Sequence, residues 1–118
     1  MTPLELAQKY MDIVFNTGDL GQLRTILARD LQFSGPFYSF DSADSYIASM
    51  LANPPEGFDF EVIQFYEDET SACLIYNFTK SGISTPMTQL FETDKDRITS
   101  ILLVFDTRAF DSGPSGNE

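Results

Sequence analysis

The 118-residue chain contains no histidine and a single cysteine, and its 7 Lys and Arg residues are outnumbered by 18 Asp and Glu. Without histidine there is no Ser-His-Asp or Cys-His nucleophile, no imidazole base and almost no route to a catalytic zinc site. No metal and no cofactor are expected. Cys73 alone cannot close an intrachain disulfide, which suits a reducing compartment. A net charge of -11 repels phosphate backbones and anionic lipid, so nucleic acid and membrane surfaces are poor partners. No stretch approaches the ~18 apolar residues of a membrane helix, and no basic region followed by an apolar run opens the chain. The expectation from these absences is a cytoplasmic protein.

What remains is rich in core material: 42% of residues are hydrophobic, with 11 Phe and 5 Tyr. The length suits one domain, expected over residues 1–110, with an acidic, disordered tail at 111–118 that has nothing to bury. Thr2-Pro3-Leu4-Glu5 reads as a capping box with proline at the first helical position. Leu4, Ala7, Met11, Val14 and Phe15 then recur at helical steps until Gly18. Asp19 with Gln22 predicts a second helix carrying Leu20, Leu23, Ile26 and Leu27. Asp41 predicts the cap of a third, with Tyr46, Ile47, Met50 and Leu51 buried and Asn53-Pro54-Pro55 as its stop.

From Phe58 onward the apolar period changes to two, which predicts four long strands joined by turns at Glu67–Thr70, Ser81-Gly82 and Asp94–Arg97. A shorter extended piece is expected at Leu31–Phe33. Helices first and strands after them mean an α+β fold, with the helices covering one face of an antiparallel sheet. The last strand, Ile98–Phe105, is apolar on both faces, and its second face therefore predicts a homodimer contact.

Hairpin turns set register. The Ser81-Gly82 turn places Tyr76 opposite Met87 and Leu74 opposite Gln89. A two-residue turn at Lys95-Asp96 places Gln89 opposite Leu102 and Met87 opposite Val104, and a three-residue turn centred on Glu69 places Val62 opposite Tyr76 and Gln64 opposite Leu74. One face then gathers Phe60, Val62, Leu74, Phe78, Met87, Leu102 and Val104 around four polar groups: Gln64, Tyr76, Gln89 and Asp106. The other face takes Ile63, Phe65, Ile75, Leu90, Ile101, Leu103 and Phe105. Apolar walls with a few inward polar groups are the composition of a small-molecule pocket, although such groups also occur bonded to one another inside an ordinary core.

The three N-terminal helices, the segment Phe33-Ser34-Gly35-Pro36-Phe37, the helix from Asp41 to Met50 and the closing Leu103-Val104-Phe105-Asp106 resemble the SnoaL-like group of the nuclear transport factor 2-like superfamily. The likeness spans roughly residues 3–110. It implies three helices packed on a curved sheet as a cone with an internal pocket, and homodimers joined sheet to sheet. Family members include isomerases, cyclases, dehydratases, epoxide hydrolases and non-enzymatic binding domains. Tyr10 matches the first-helix tyrosine of ketosteroid isomerase-like members, but the position of their carboxylate base falls on Ser34 or Gly35 before Pro36, and neither abstracts a proton at neutral pH. Asp106 with Arg108 matches a fragment of the aspartate–arginine pattern of limonene epoxide hydrolase-like members.

Three functions follow as expectations. In the first, a small, mainly apolar ligand sits in the cone against Tyr10, Phe33, Tyr38, Tyr46, Tyr76, Gln89 and Asp106. In the second, the chain is an isomerase, cyclase or hydratase using Asp106 as acid or base, with Tyr10 or Tyr76 as hydrogen-bond donor. In the third, it is a protein-interaction domain with a filled cone and an exposed apolar surface.

Overall fold

A computed structural model describes residues 1–54 and 56–110. The first helix, α1 (Pro3–Asp12), starts as its sequence dictates: Thr2 Oγ1 accepts from the Glu5 amide, and the Glu5 carboxylate accepts from the Thr2 amide. A second carboxylate reaches the same helix end from far along the chain, Glu67 Oε2 accepting from the Leu4 amide at 2.9 Å. Leu6, Ala7, Tyr10 and Met11 form the buried stripe. A π-helical turn, Ile13–Thr17, extends the helix to Gly18, whose φ of 70° places it in the left-handed region that favours glycine.

The second expected helix is shorter and tighter than its apolar spacing suggests. Leu20–Thr25 is a 3-10 helix, Asp19 makes no side-chain cap bond, and Leu27 already opens β1 (Leu27–Ser34). That strand replaces the three-residue extended piece expected at Leu31–Phe33. After a tight loop closed by the Gly35 amide on the Tyr38 carbonyl at 2.9 Å comes β2 (Ser39–Phe40). A Cβ on Gly35 would stand 3.2 Å from the Phe33 ring, so the loop packs too closely there for a side chain. The next helix, α2 (Ala43–Ala52), is capped by Ser42 rather than Asp41; it buries Ala43, Tyr46 and Ile47 but leaves Leu51 exposed. Of the expected stop, Pro55 lies outside the described residues, as does the tail at 111–118.

Four strands follow: β3 (Phe58–Glu67), β4 (Ser71–Lys80), β5 (Ile83–Asp94) and β6 (Arg97–Phe105). They build a curved, unclosed sheet in the order β2-β1-β6-β5-β4-β3. The pairings are antiparallel except for β1 on β6, which is parallel. The helices cover the inner face, giving the α+β architecture the sequence predicts.

Register decides which side chains face the helices. In the β4–β5 hairpin Tyr76 pairs with Met87 and Leu74 with Gln89, as the Ser81-Gly82 turn requires. The β5–β6 hairpin departs from expectation. Asp94 pairs with Arg97 across the two-residue turn, but Thr93 pairs with Ile98 and Glu92 with Ser100, so Thr99 is an extra residue, a β-bulge. Its hydroxyl donates to the Glu92 carbonyl. Beyond it every pair shifts by one, with Gln89 opposite Leu103 and Met87 opposite Phe105. Ile101 and Leu103 thus turn inward, while Leu102 and Val104 face outward and are exposed.

A second irregularity lies in β3 at Ile63: Val62 pairs with Tyr76 as expected, but Gln64 pairs with Ile75 and Phe65 with Leu74. Gln64 therefore leaves the inner face. The outer face now carries two uncharged cross-strand rows, Tyr66–Cys73–Leu90–Leu102 and Gln64–Ile75–Thr88–Val104. At the open edge, β3 meets two of its own amides with neighbouring side chains: Phe60 N–H bonds Asp59 Oδ1 and Phe65 N–H bonds Gln64 Oε1. Among the described residues no helix is long and apolar enough to cross a membrane.

Candidate functional site

Four polar side chains meet inside the fold, one from each of four elements. Tyr10 comes from the buried stripe of α1, Tyr46 from that of α2, Tyr76 from β4 and Gln89 from β5. Tyr76 and Gln89 are diagonal neighbours across the β4–β5 hairpin, the separation at which long side chains touch. Tyr76 Oη donates to Gln89 Oε1 at 2.9 Å. Gln89 also bonds the Tyr10 hydroxyl, and Tyr10 in turn hydrogen-bonds Tyr46. The result is a continuous chain, Tyr76–Gln89–Tyr10–Tyr46, buried throughout, with Gln89 only 2% exposed.

Aromatic rings wall it. Phe91 meets Tyr10 edge-on at 5.2 Å, Phe33 stacks on Tyr46 at 4.6 Å, Phe40 tilts against Tyr46 at 5.4 Å and Phe60 meets Tyr76 edge-on at 6.0 Å. Burial pushes all three phenols above their usual range. For Tyr10 the bonds to Tyr46 and Gln89 work against that rise, whereas at Tyr46 the Tyr10 hydroxyl adds to it. These hydroxyls are therefore protonated at neutral pH. They can donate or share hydrogen bonds; they cannot act as bases there.

Two open depressions lie at opposite ends of this chain. A cleft of about 260 Å³ is lined by Gln8, Met11 and Asp12 of α1 with Asn16, Phe60, Val62 and Leu74, next to Tyr76. A groove of about 490 Å³ is lined by Gln32, Phe33, Ser34, Ser39, Phe40, Asp41 and Ser45, next to Tyr46.

Of the residues singled out from sequence, Tyr10, Tyr46, Tyr76, Gln89 and Phe33 are brought together. Tyr38 is not: it sits on the β1–β2 loop, 67% exposed, with its ring 6.3 Å from Phe40. Asp106 is not either. The Thr99 bulge moves it out of the position opposite Thr85, and it follows the end of β6, bonded to the Arg108 guanidinium at 2.8 Å and to the Arg108 amide. Those bonds hold its carboxyl down to about 2. Phe40, Phe60 and Phe91 were missing from the sequence-derived site. Phe91 shares the alternation of Met87 and Gln89, which is the signal that could have added it. Among the described residues no group of three or more Cys, Asp or Glu side chains is placed to hold a metal ion.

A family model described as a SnoaL-like domain matches residues 7–101. Among solved structures, an NTF2-like protein of unknown function from Cytophaga hutchinsonii aligns with a TM-score of 0.80 at 24% identity, over 93% of this chain and 95% of that one. A protein from Kribbella flavida aligns at 0.82 and 22% identity, over 98% of this chain and 95% of the other. An M. tuberculosis LEH-like epoxide hydrolase aligns at 0.74 and 15% identity, over 89% and 83%. At these identities the likeness is one of fold. No curated protein matches the chain at a significant level.

Proposed function

The chain belongs to the SnoaL-like family, and from that premise we propose that it is a small-molecule-binding domain taking a compact, mainly apolar, neutral ligand that carries one hydrogen-bonding oxygen. The observation behind this reading is the Tyr76–Gln89–Tyr10–Tyr46 chain, four hydrogen-bonding groups from four elements walled by aromatic rings. Burial of apolar surface supplies affinity, and a few fixed polar groups supply orientation. An anionic ligand is disfavoured by the charge of -11.

The alternative is an isomerase, cyclase or hydratase with Asp106 as acid or base. An ion-paired carboxyl held near 2 is a poor proton donor or acceptor at neutral pH, so the binding reading is preferred. The test is a thermal-shift screen of small neutral ketones, alcohols and hydrocarbons, preceded by native mass spectrometry to detect any retained compound. A hit lost in Gln89→Leu and kept in Asp106→Asn supports the binding domain. A hit that survives Gln89→Leu shows that the polar chain is core bonding only. Turnover that disappears in Asp106→Asn, in a folded protein, favours the enzyme.

The partner in this reading is a second copy of the chain, docked through the outer sheet face. Two chains of charge -11 can meet without stacking carboxylates only where charge is missing, as it is along the Tyr66–Leu102 and Gln64–Val104 rows. The half-buried Cys73 thiol suits the reducing cytoplasm, where we place the protein.

A further inference from the structure

The polar chain has a direction, and that direction selects the ligand atom. Tyr76 Oη donates to Gln89 Oε1, so the amide oxygen faces Tyr76 and the NH2 group, which can only donate, is left for the Tyr10 hydroxyl it also contacts. The Tyr10 oxygen then accepts, and its own proton goes to the bond with Tyr46. Tyr46 is the last member, and the order upstream makes it the acceptor in that bond, so its hydroxyl proton is the one donor the four residues leave without an acceptor. At the other end Tyr76, having spent its proton on Gln89, keeps only lone pairs. The chain thus runs from an acceptor end at Tyr76 to a donor end at Tyr46.

Each end abuts a different depression. Tyr46 is packed between Phe33 and Phe40, which also line the 490 Å³ groove with Ser45. Tyr76 abuts Phe60 and pairs with Val62, both in the 260 Å³ cleft. We propose that the ligand enters from the groove between β1, β2 and α2 and places an acceptor-only oxygen, of the ketone, ester or ether type, on the Tyr46 hydroxyl, with Tyr76 and Gln89 as positioning residues that set the proton order. This rests on the binding reading above and goes beyond it by fixing the end, the donor and the polarity. A buried donor without an acceptor costs free energy, and a carbonyl oxygen removes that cost, whereas a hydrocarbon of the same shape does not.

Three probes of one shape test it: acetophenone, which only accepts; 1-phenylethanol, which does both; and ethylbenzene, which does neither. Acetophenone is expected to bind about tenfold more tightly than ethylbenzene, the effect of one hydrogen bond. Tyr46→Phe should remove that preference while leaving ethylbenzene affinity unchanged. Tyr76→Phe, which frees the amide to turn over, should shrink it although it lies at the far end. The carbonyl stretch of bound 13C-labelled acetophenone should fall in frequency in the parent protein and recover in Tyr46→Phe, a signature that a purely structural role for Tyr46 would not produce. Thermal midpoints of the variants establish folding. If none of the three probes binds, the binding reading itself fails. If all three bind equally, or if 1-phenylethanol is preferred and Tyr46→Phe changes nothing, the binding reading stands and the proton order is overturned.

Discussion

Asp106 shows how one side chain's surroundings settle what it can do. Its carboxyl accepts from both the side chain and the backbone of Arg108, and these bonds, opposed by slight desolvation, hold it down to about 2. A depressed carboxyl favours the fold above its ordinary value, and that contribution is lost as the pH falls through about 2. Carbon-detected NMR titration should find Asp106 half-protonated near 2, and near the usual carboxylate value in Arg108→Ala. An unchanged midpoint in that variant would mean that the ion pair is not what depresses it. Deeper in, Phe91 is fully buried and packs edge-on against Tyr10. Phe91→Ala is expected to cost about 3–5 kcal/mol in urea unfolding, because the ring leaves a cavity that the flanking strands cannot close.

Among the elements, α1 is fastened by its cap, so Thr2→Ala should lower stability by about 1 kcal/mol, measured by thermal unfolding. That cap was legible in Thr2-Pro3-Leu4-Glu5, and so was the β4–β5 register, since Ser81 and Gly82 both adopt the positive φ of a two-residue hairpin turn. From that register came Tyr76 and Gln89, half of the polar chain. The closing hairpin was not legible. Its turn has the expected two residues, but Thr99 bulges, and a strand apolar on both faces gives no pattern to reveal the slip. Asp106 was placed inside for that reason. β1 was hidden by a different ambiguity: Leu20, Leu23, Ile26 and Leu27 fit helical spacing, and only pairing with β6, about 70 residues later in the sequence, draws Leu27 into a strand. Tyr38 belonged to an aromatic stretch whose loop geometry no periodicity encodes.

At the scale of the molecule, the outer sheet face is the place where the proposed dimer stands or falls. Leu102 and Val104 are exposed because of the bulge, and no carboxylate shares their rows. Sedimentation velocity should give a dimer for the parent protein and a folded monomer for Leu102→Lys, since a lysine there would bury an unpaired charge at the contact. A parent protein that sediments as a monomer removes the dimer.

The open edge of β3 has a different consequence, one for life at high concentration. A long edge strand with exposed Ile63, Phe65 and Tyr66 would ordinarily invite another chain to add itself to the sheet and seed fibrous precipitates. Here the Phe60 and Phe65 amides are already occupied by Asp59 and Gln64, and the Ile63 irregularity breaks the regular ladder that a newcomer would need to copy. The crowded cell thus meets a strand that looks adhesive in its side chains but has been quietly disarmed along its backbone.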